Sequence, residues 1–151
     1  MLSRVGAHDI FRDSLPTYKK DNMSKIKVGF LHPDLGIGGA ERLVVDAALG
    51  LQEKGCDITL YTSHHDVSHC FQETKDGTLK VIVYGDFLPR TILRHFMIFC
   101  AMLRNLYCAC RIILLWYKQS YDVIIIDQLS IAIPLFKYCT NAQILFYGHF
   151  P

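Results

Sequence analysis

The chain has 151 residues and a formal net charge of +2, enough length for one domain with a real core and too little charge to argue for nucleic acid. Hydrophobic residues make up 51% of it and its mean hydropathy is +0.21, so apolar surface is expected to be left over for a membrane or a further domain. Six cysteines (Cys56, Cys70, Cys100, Cys108, Cys110 and Cys139) include no Cys-x-x-Cys pair, and with no cleavable signal ahead of them they read as reduced thiols facing the cytosol.

Residues 1–24 are polar, lack periodicity and contain no apolar h-region, which suits a disordered leader rather than a signal or transit peptide. Met23 is placed to act as an alternative start. The sequon Asn22-Met23-Ser24 is expected to go unused in a chain that never enters an oxidising lumen. The folded domain is expected over 25–151.

Strand one is read over 26–31, and it runs straight into Gly36-Ile37-Gly38-Gly39-Ala40-Glu41. An apolar strand, a glycine turn and a helix start together build an anion site, because glycine lets backbone approach closely and the first helical N–H groups point outward. The helix follows over 40–54, with Leu43, Val44, Ala47, Ala48 and Leu51 at helical spacing and Gly55 as its stop. Further strands are read over 57–62, 79–84, 122–127 and 143–148. These runs are nearly continuously apolar, as strands buried on both faces should be. Helices are expected over 89–118 and over 131–138, the latter behind a Ser130 cap. Such alternation implies a Rossmann-like α/β fold, a parallel sheet with helices on both faces and ligands at the strand carboxyl ends. The glycine loop, Asp127-Gln128 and Gly148-His149 all fall at such ends.

A dinucleotide dehydrogenase is disfavoured. Its fingerprint needs a third glycine where Glu41 stands, and an acid after strand two where Thr62, Ser63 and His64 stand. His64, His65, His69 and Cys70 crowd one loop without zinc-ligand spacing, so they read as hydrogen-bonding loop residues, and no metal site is assigned. Cys108 and Cys110 read as small packing residues. No Ser/His/Asp or Cys/His set emerges from spacing. His149 lies just past a buried strand, where its side chain can face the ligand crevice, and is the candidate catalytic residue.

The segment 89–118 is the second unusual feature. No acid occurs between Phe87 and Tyr121, while Arg90, Arg94, Arg104, Arg111 and Lys118 do. At ~100° per residue these cations fall within an arc of ~120°. Phe96, Phe99, Leu103, Leu106, Cys110 and Tyr117 point broadly the other way. No charge-free run approaches the ~20 residues of a bilayer span, so the segment is expected to lie in the interface of an anionic membrane. The plainer alternative is a crossover helix with a solvated basic stripe.

The stretch from Lys27 to Arg42 (KVGFLHPDLGIGGAER), Asp127-Gln128, and residues 144–151 (ILFYGHFP) together resemble the amino-terminal domain of retaining GT-B glycosyltransferases that use nucleotide sugars. Within that group the match is to the dolichol-linked α-1,3/1,6-mannosyltransferases of N-glycan precursor assembly, and it covers roughly residues 26–151. The resemblance implies the acceptor-side half of a two-domain enzyme. The donor-binding half, with the family's paired glutamates, would be absent, so the chain would be truncated and inactive by itself. Gly36, Gly38 and Gly39 would form the loop facing the donor diphosphate, Glu41 would help fix it, and His149 would approach the transferred sugar. Transfer would be metal-independent, with GDP-mannose as donor, Man1GlcNAc2-diphosphodolichol as acceptor, and no further cofactor. It would take place on the cytosolic face of the endoplasmic reticulum membrane, reached through 89–118. Where the family writes Tyr-Cys-His, this chain has Tyr147-Gly148-His149. A non-catalytic, truncated fragment that only binds membrane or lipid is the competing expectation.

Overall fold

The computed structural model describes residues 25–89 and 97–148. The leader expected over 1–24, His149, Arg90 and Arg94 lie outside the described residues. Five strands, β1 (Lys27–His32), β2 (Asp57–Thr62), β3 (Lys80–Val83), β4 (Val123–Asp127) and β5 (Gln143–Tyr147), form one sheet in the order β3-β2-β1-β4-β5. Every pairing is parallel. The order reverses between β1 and β4, and in open parallel sheets the ligand crevice lies at that reversal, beyond the strand carboxyl ends.

Both faces of the sheet are covered, as expected. Helix α1 (Gly39–Glu53) lays Val44, Val45 and Ala48 against Val28, Phe30, Ile58, Leu60 and Ile125. On the other face, α2 (Met97–Leu114) and α3 (Ile133–Cys139) bring Cys108, Ala109, Ile112 and Phe136 onto Leu31, Tyr61, Ile124 and Ile126. Alternate side chains of one strand therefore serve two cores, which is why β1, β2 and β4 are continuously apolar. Helix α1 stops on Gly55 at φ +89, with Gly55 N–H donating to Gln52 O and Cys56 N–H to Leu51 O. That paired geometry closes a helix through a left-handed glycine.

Three expectations are corrected. The edge strands β3 and β5 are not buried on both faces, since each has a strand on one side only, and Leu145, Phe146 and Tyr147 are about 40% exposed. Ser130 does not cap α3; it opens a short 3-10 turn, Ser130–Ala132, and the helix begins at Ile133 with Pro134 in its first turn. Proline is accepted there because its missing N–H would have no helical partner.

The third correction concerns the basic segment. Its described helix is Met97–Leu114, shorter than 89–118, and by length and composition alone it could cross a membrane. Here it is instead a crossover helix packed on the sheet. Arg104, expected on an outward cationic arc, is 5% exposed. Its guanidinium donates to Ser63 O at 2.7 Å and Gly85 O at 3.4 Å, carbonyls just past β2 and β3. Arg111 lies over the Tyr84 ring at 5.3 Å. The side chains that α2 turns to solvent include the apolar Met97, Ile98, Phe99, Leu103 and Leu114, with Tyr117 and Lys118 exposed just beyond.

Candidate functional site

The loop after β1 is held from below. Leu35 is buried and its N–H donates to His64 O at 3.1 Å, while Ser63 N–H and its hydroxyl both donate to Pro33 O. These bonds tie the β1 loop to the loop after β2 and leave Ile37 exposed at the tip. Gly38 is the extended N-cap of α1, with φ −146 and ψ 176. The N–H groups of the helix's first turn have no intrahelical acceptor and carry the positive end of its dipole.

The glycines of the loop differ in what surrounds them. Among the described residues, a Cβ built on Gly36 or Gly39 meets nothing within 4 Å, and neither is among the residues with positive φ. Neither packing nor backbone conformation therefore demands glycine at these two positions. At Gly38 the added Cβ would stand 2.2 Å from Glu41 Oε2, so the Glu41 carboxylate occupies the space over that residue.

Glu41 belongs to a buried constellation. His32 closes β1 and Asp127 closes β4, the two strands at the reversal. His32 is 2% exposed and Asp127 3%, and His32 Nδ1 lies 2.8 Å from Asp127 Oδ2. His32 Nε2 lies 3.9 Å from Glu41 Oε1. Asp127 Oδ1 is buried with no hydrogen-bond partner among the described residues. The next residue, Gln128, takes φ +64, a conformation rare for side-chain-bearing residues and concentrated at functional sites. Sequence reading placed Asp127 at a strand end but did not select His32. The signal was there: each is a polar residue ending an otherwise apolar run, yet 95 positions separate them and only the strand order brings them together.

Beside the loop opens a cleft of about 240 Å³ lined by Asp34, Gly36, Glu41, His64, Asp66 and His69. His64 Nδ1 lies 2.6 Å from Asp86 Oδ1 and His65 Nε2 lies 3.1 Å from Thr74 Oγ1, the hydrogen-bonding role expected of these loop histidines. The Ser68 hydroxyl and amide hold the Asp66 carboxyl below its ordinary range. Burial lowers His65. Among the described residues no group of three or more His, Cys, Asp or Glu is arranged to hold a metal. Arg42, also in the glycine motif, pairs with Asp46 and Glu73 and lies over the Phe71 ring at 5.1 Å, tying α1 to the segment after β2.

No protein-family model matches the chain. Curated proteins do. The alpha-1,3/1,6-mannosyltransferase ALG2 of Rhizomucor pusillus is 60% identical over 126 residues, 83% of this chain and 28% of that protein. Those of Saccharomyces cerevisiae and Dictyostelium discoideum are 57% and 55% identical over 84% of the chain, which spans 25% and 30% of their lengths. The chain's relatives are alpha-1,3/1,6-mannosyltransferases. It spans between a quarter and a third of the length of these three relatives.

Solved structures agree on the fold. A glycosyltransferase from Rickettsia africae superposes with a TM-score of 0.55 at 18% identity, over 85% of this chain and 32% of that one. The C-terminal domain of a hydrogenase from Pyrococcus furiosus gives 0.58 at 16%, over 88% and 98%. The architecture is thus the Rossmann-like α/β sheet expected of one half of a GT-B fold.

Proposed function

We propose that this chain forms the sheet-bearing part of a mannosyltransferase that moves mannose from GDP-mannose to a diphosphodolichol-linked oligosaccharide, first in α-1,3 and then in α-1,6 linkage. The observation that carries the reading is the loop from Gly36 to Glu41, set at the sheet's reversal point in a sequence 55–60% identical to mannosyltransferases over most of its length. Gly36 and Gly39 have open space where side chains would go, which is what close approach by a diphosphate requires. Amides aimed at the leaving diphosphate would stabilise the charge that develops there as the sugar departs. The cleft lined by Asp34, His64, Asp66 and His69 offers carboxylate and imidazole partners for sugar hydroxyls. His149 keeps its proposed role beside the transferred sugar, and a second, donor-binding domain would complete the cleft.

The test is a chimera in which this chain replaces the matching quarter of the Saccharomyces cerevisiae relative. Radiolabelled mannose should pass from GDP-mannose to the lipid-linked acceptor, and a folded chimera without transfer would contradict the proposal.

We further propose that the enzyme works on the cytosolic face of the endoplasmic reticulum membrane and that α2 meets the lipid. Phe99, Leu103 and Leu114 fall on one helical stripe opposite the buried face of Arg104, Cys108 and Ile112. An outward apolar stripe suits the acyl boundary of a bilayer. Because Arg104 is held inside, the attraction would be chiefly apolar rather than the ionic one suggested by the sequence.

A further inference from the structure

Strand β4 ends irregularly. Ile125 packs on the α1 side of the sheet and Ile126 on the side of α2 and α3, so Asp127 returns to the α1 side. Continued alternation would send Gln128 beneath α2 and α3, where its amide would be shut away from solvent. Instead Gln128 takes φ +64 and is exposed. Its own N–H donates to Tyr147 O at 3.2 Å, while Leu129 N–H donates to Asp127 O at 2.8 Å. A turn closed over three residues about a positive φ is the rare, strained form. Glycine would take it freely, and glutamine is not among the side chains that favour such a φ. The preceding residue is costly as well, since Asp127 Oδ1 is buried and unpartnered among the described residues. Costs of this kind gather where a ligand is handled.

We propose that Gln128 is a substrate-contacting residue, whose side-chain amide hydrogen-bonds a sugar hydroxyl in the crevice beyond β1 and β4. This rests on the reading of the chain as part of a mannosyltransferase. Gln128 is the first residue past β4 and stands at the reversal of strand order, where open parallel sheets take their ligands. Among the described residues its side-chain amide makes no hydrogen bond. A primary amide carries a donor and an acceptor in one plane, which suits a sugar hydroxyl and its neighbour. Being neutral, it brings no charge to repel a diphosphate. The transferred mannose and the acceptor oligosaccharide share this hydroxyl chemistry, and kinetics with each substrate separate them.

The experiment uses the chimera with the Saccharomyces cerevisiae relative, assayed over ranges of GDP-mannose and of the lipid-linked acceptor. Gln128→Gly removes the amide and relieves the turn together. Its thermal midpoint should equal or exceed the parent's, while kcat/KM falls by at least about tenfold, the scale of a lost substrate hydrogen bond. The substrate whose kcat/KM falls further is the one whose sugar Gln128 holds. Gln128→Asn keeps an amide on a residue that tolerates positive φ, and should recover at least about threefold of the activity lost in Gln128→Gly. A purely structural turn predicts the reverse, with Gln128→Gly at least as active as the parent. Parental kcat/KM for both substrates in Gln128→Gly would overturn the contact and leave the mannosyltransferase reading standing. A midpoint several degrees below the parent's would overturn the strain on which the contact is argued. No transfer by the unsubstituted chimera, though folded, would overturn both readings.

Discussion

At Gly39 a side chain would enter open space, and at Gly38 it would strike the Glu41 carboxylate. Gly39→Ala should therefore leave the urea midpoint unchanged or raise stability by up to about 1 kcal/mol, the ordinary gain of alanine over glycine in a helix. Gly38→Ala should cost about 1 kcal/mol, since alanine is a poor N-cap and the flexible carboxylate must swing aside. A larger loss at Gly39 than at Gly38 would show that the loop is packed rather than open. Cysteines give a second test at this scale. Burial pushes the Cys108 thiol up to about 12, while Cys110 and Cys139 are exposed. A thiol reagent at pH 8 should label Cys110 and Cys139 first and reach Cys108 only on unfolding, because the thiolate is the reacting form. Equal rates for Cys108 and Cys110 would contradict the packing of α2.

Helix α2 carries its charge inward and its apolar stripe outward. Helical periodicity gave the angles between side chains, and within Met97–Leu114 those hold: Phe99, Leu103 and Cys110 do share a face. Periodicity could not say which side meets the sheet. The default that charge faces water failed at Arg104, because the carbonyls of Ser63 and Gly85 offer its guanidinium partners that no local pattern shows. Arg104→Met should cost about 2–4 kcal/mol by urea unfolding, leaving buried carbonyls unpaired, whereas Lys118→Met, at an exposed position, should stay within about 0.5 kcal/mol. Similar small effects at both would return Arg104 to the surface. Replacing Phe99, Leu103 and Leu114 together by Ser should abolish liposome flotation and leave the urea midpoint nearly unchanged. Each such side chain gains about 1.5–3 kcal/mol on full burial. Flotation by the parent should survive high salt, since apolar transfer is not screened; loss in salt would favour a basic surface after all.

For the molecule as a whole, the sheet was legible because every strand is an apolar run closed by turn residues, and all five were found within a residue or two of their expected bounds. Exposure of β3 and β5 was not legible, because a run of apolar residues does not reveal whether a neighbour lies beyond it. The candidate site was half legible: the glycine loop announces itself locally, while His32 and Asp127 meet only through the strand order. Stability should carry the mark of the groups this core encloses. Desolvation raises the Tyr61 and Tyr121 hydroxyls and the Cys108 thiol above their ordinary values of 10.0, 10.0 and 9.0, and the two tyrosine hydroxyls lie 2.7 Å apart. The folded chain thus binds these protons more tightly than the unfolded one. Their contribution is complete below those ordinary values and is lost as pH climbs past them. The urea midpoint should fall above about pH 9, and Tyr61→Phe with Tyr121→Phe should flatten that fall; an unchanged slope would place its origin elsewhere.

The most direct test of the account is mannose transfer by the chimera with the Saccharomyces cerevisiae relative when Gly39 carries a bulky side chain. A branched side chain there would stand where the diphosphate is proposed to approach, in space that no described residue fills. Gly39→Val should lower transfer by at least about a hundredfold, the scale of losing one well-placed oxyanion contact, while the thermal midpoint of the chimera stays within a few degrees of the parent. Full transfer by Gly39→Val, with the chimera folded, would contradict it.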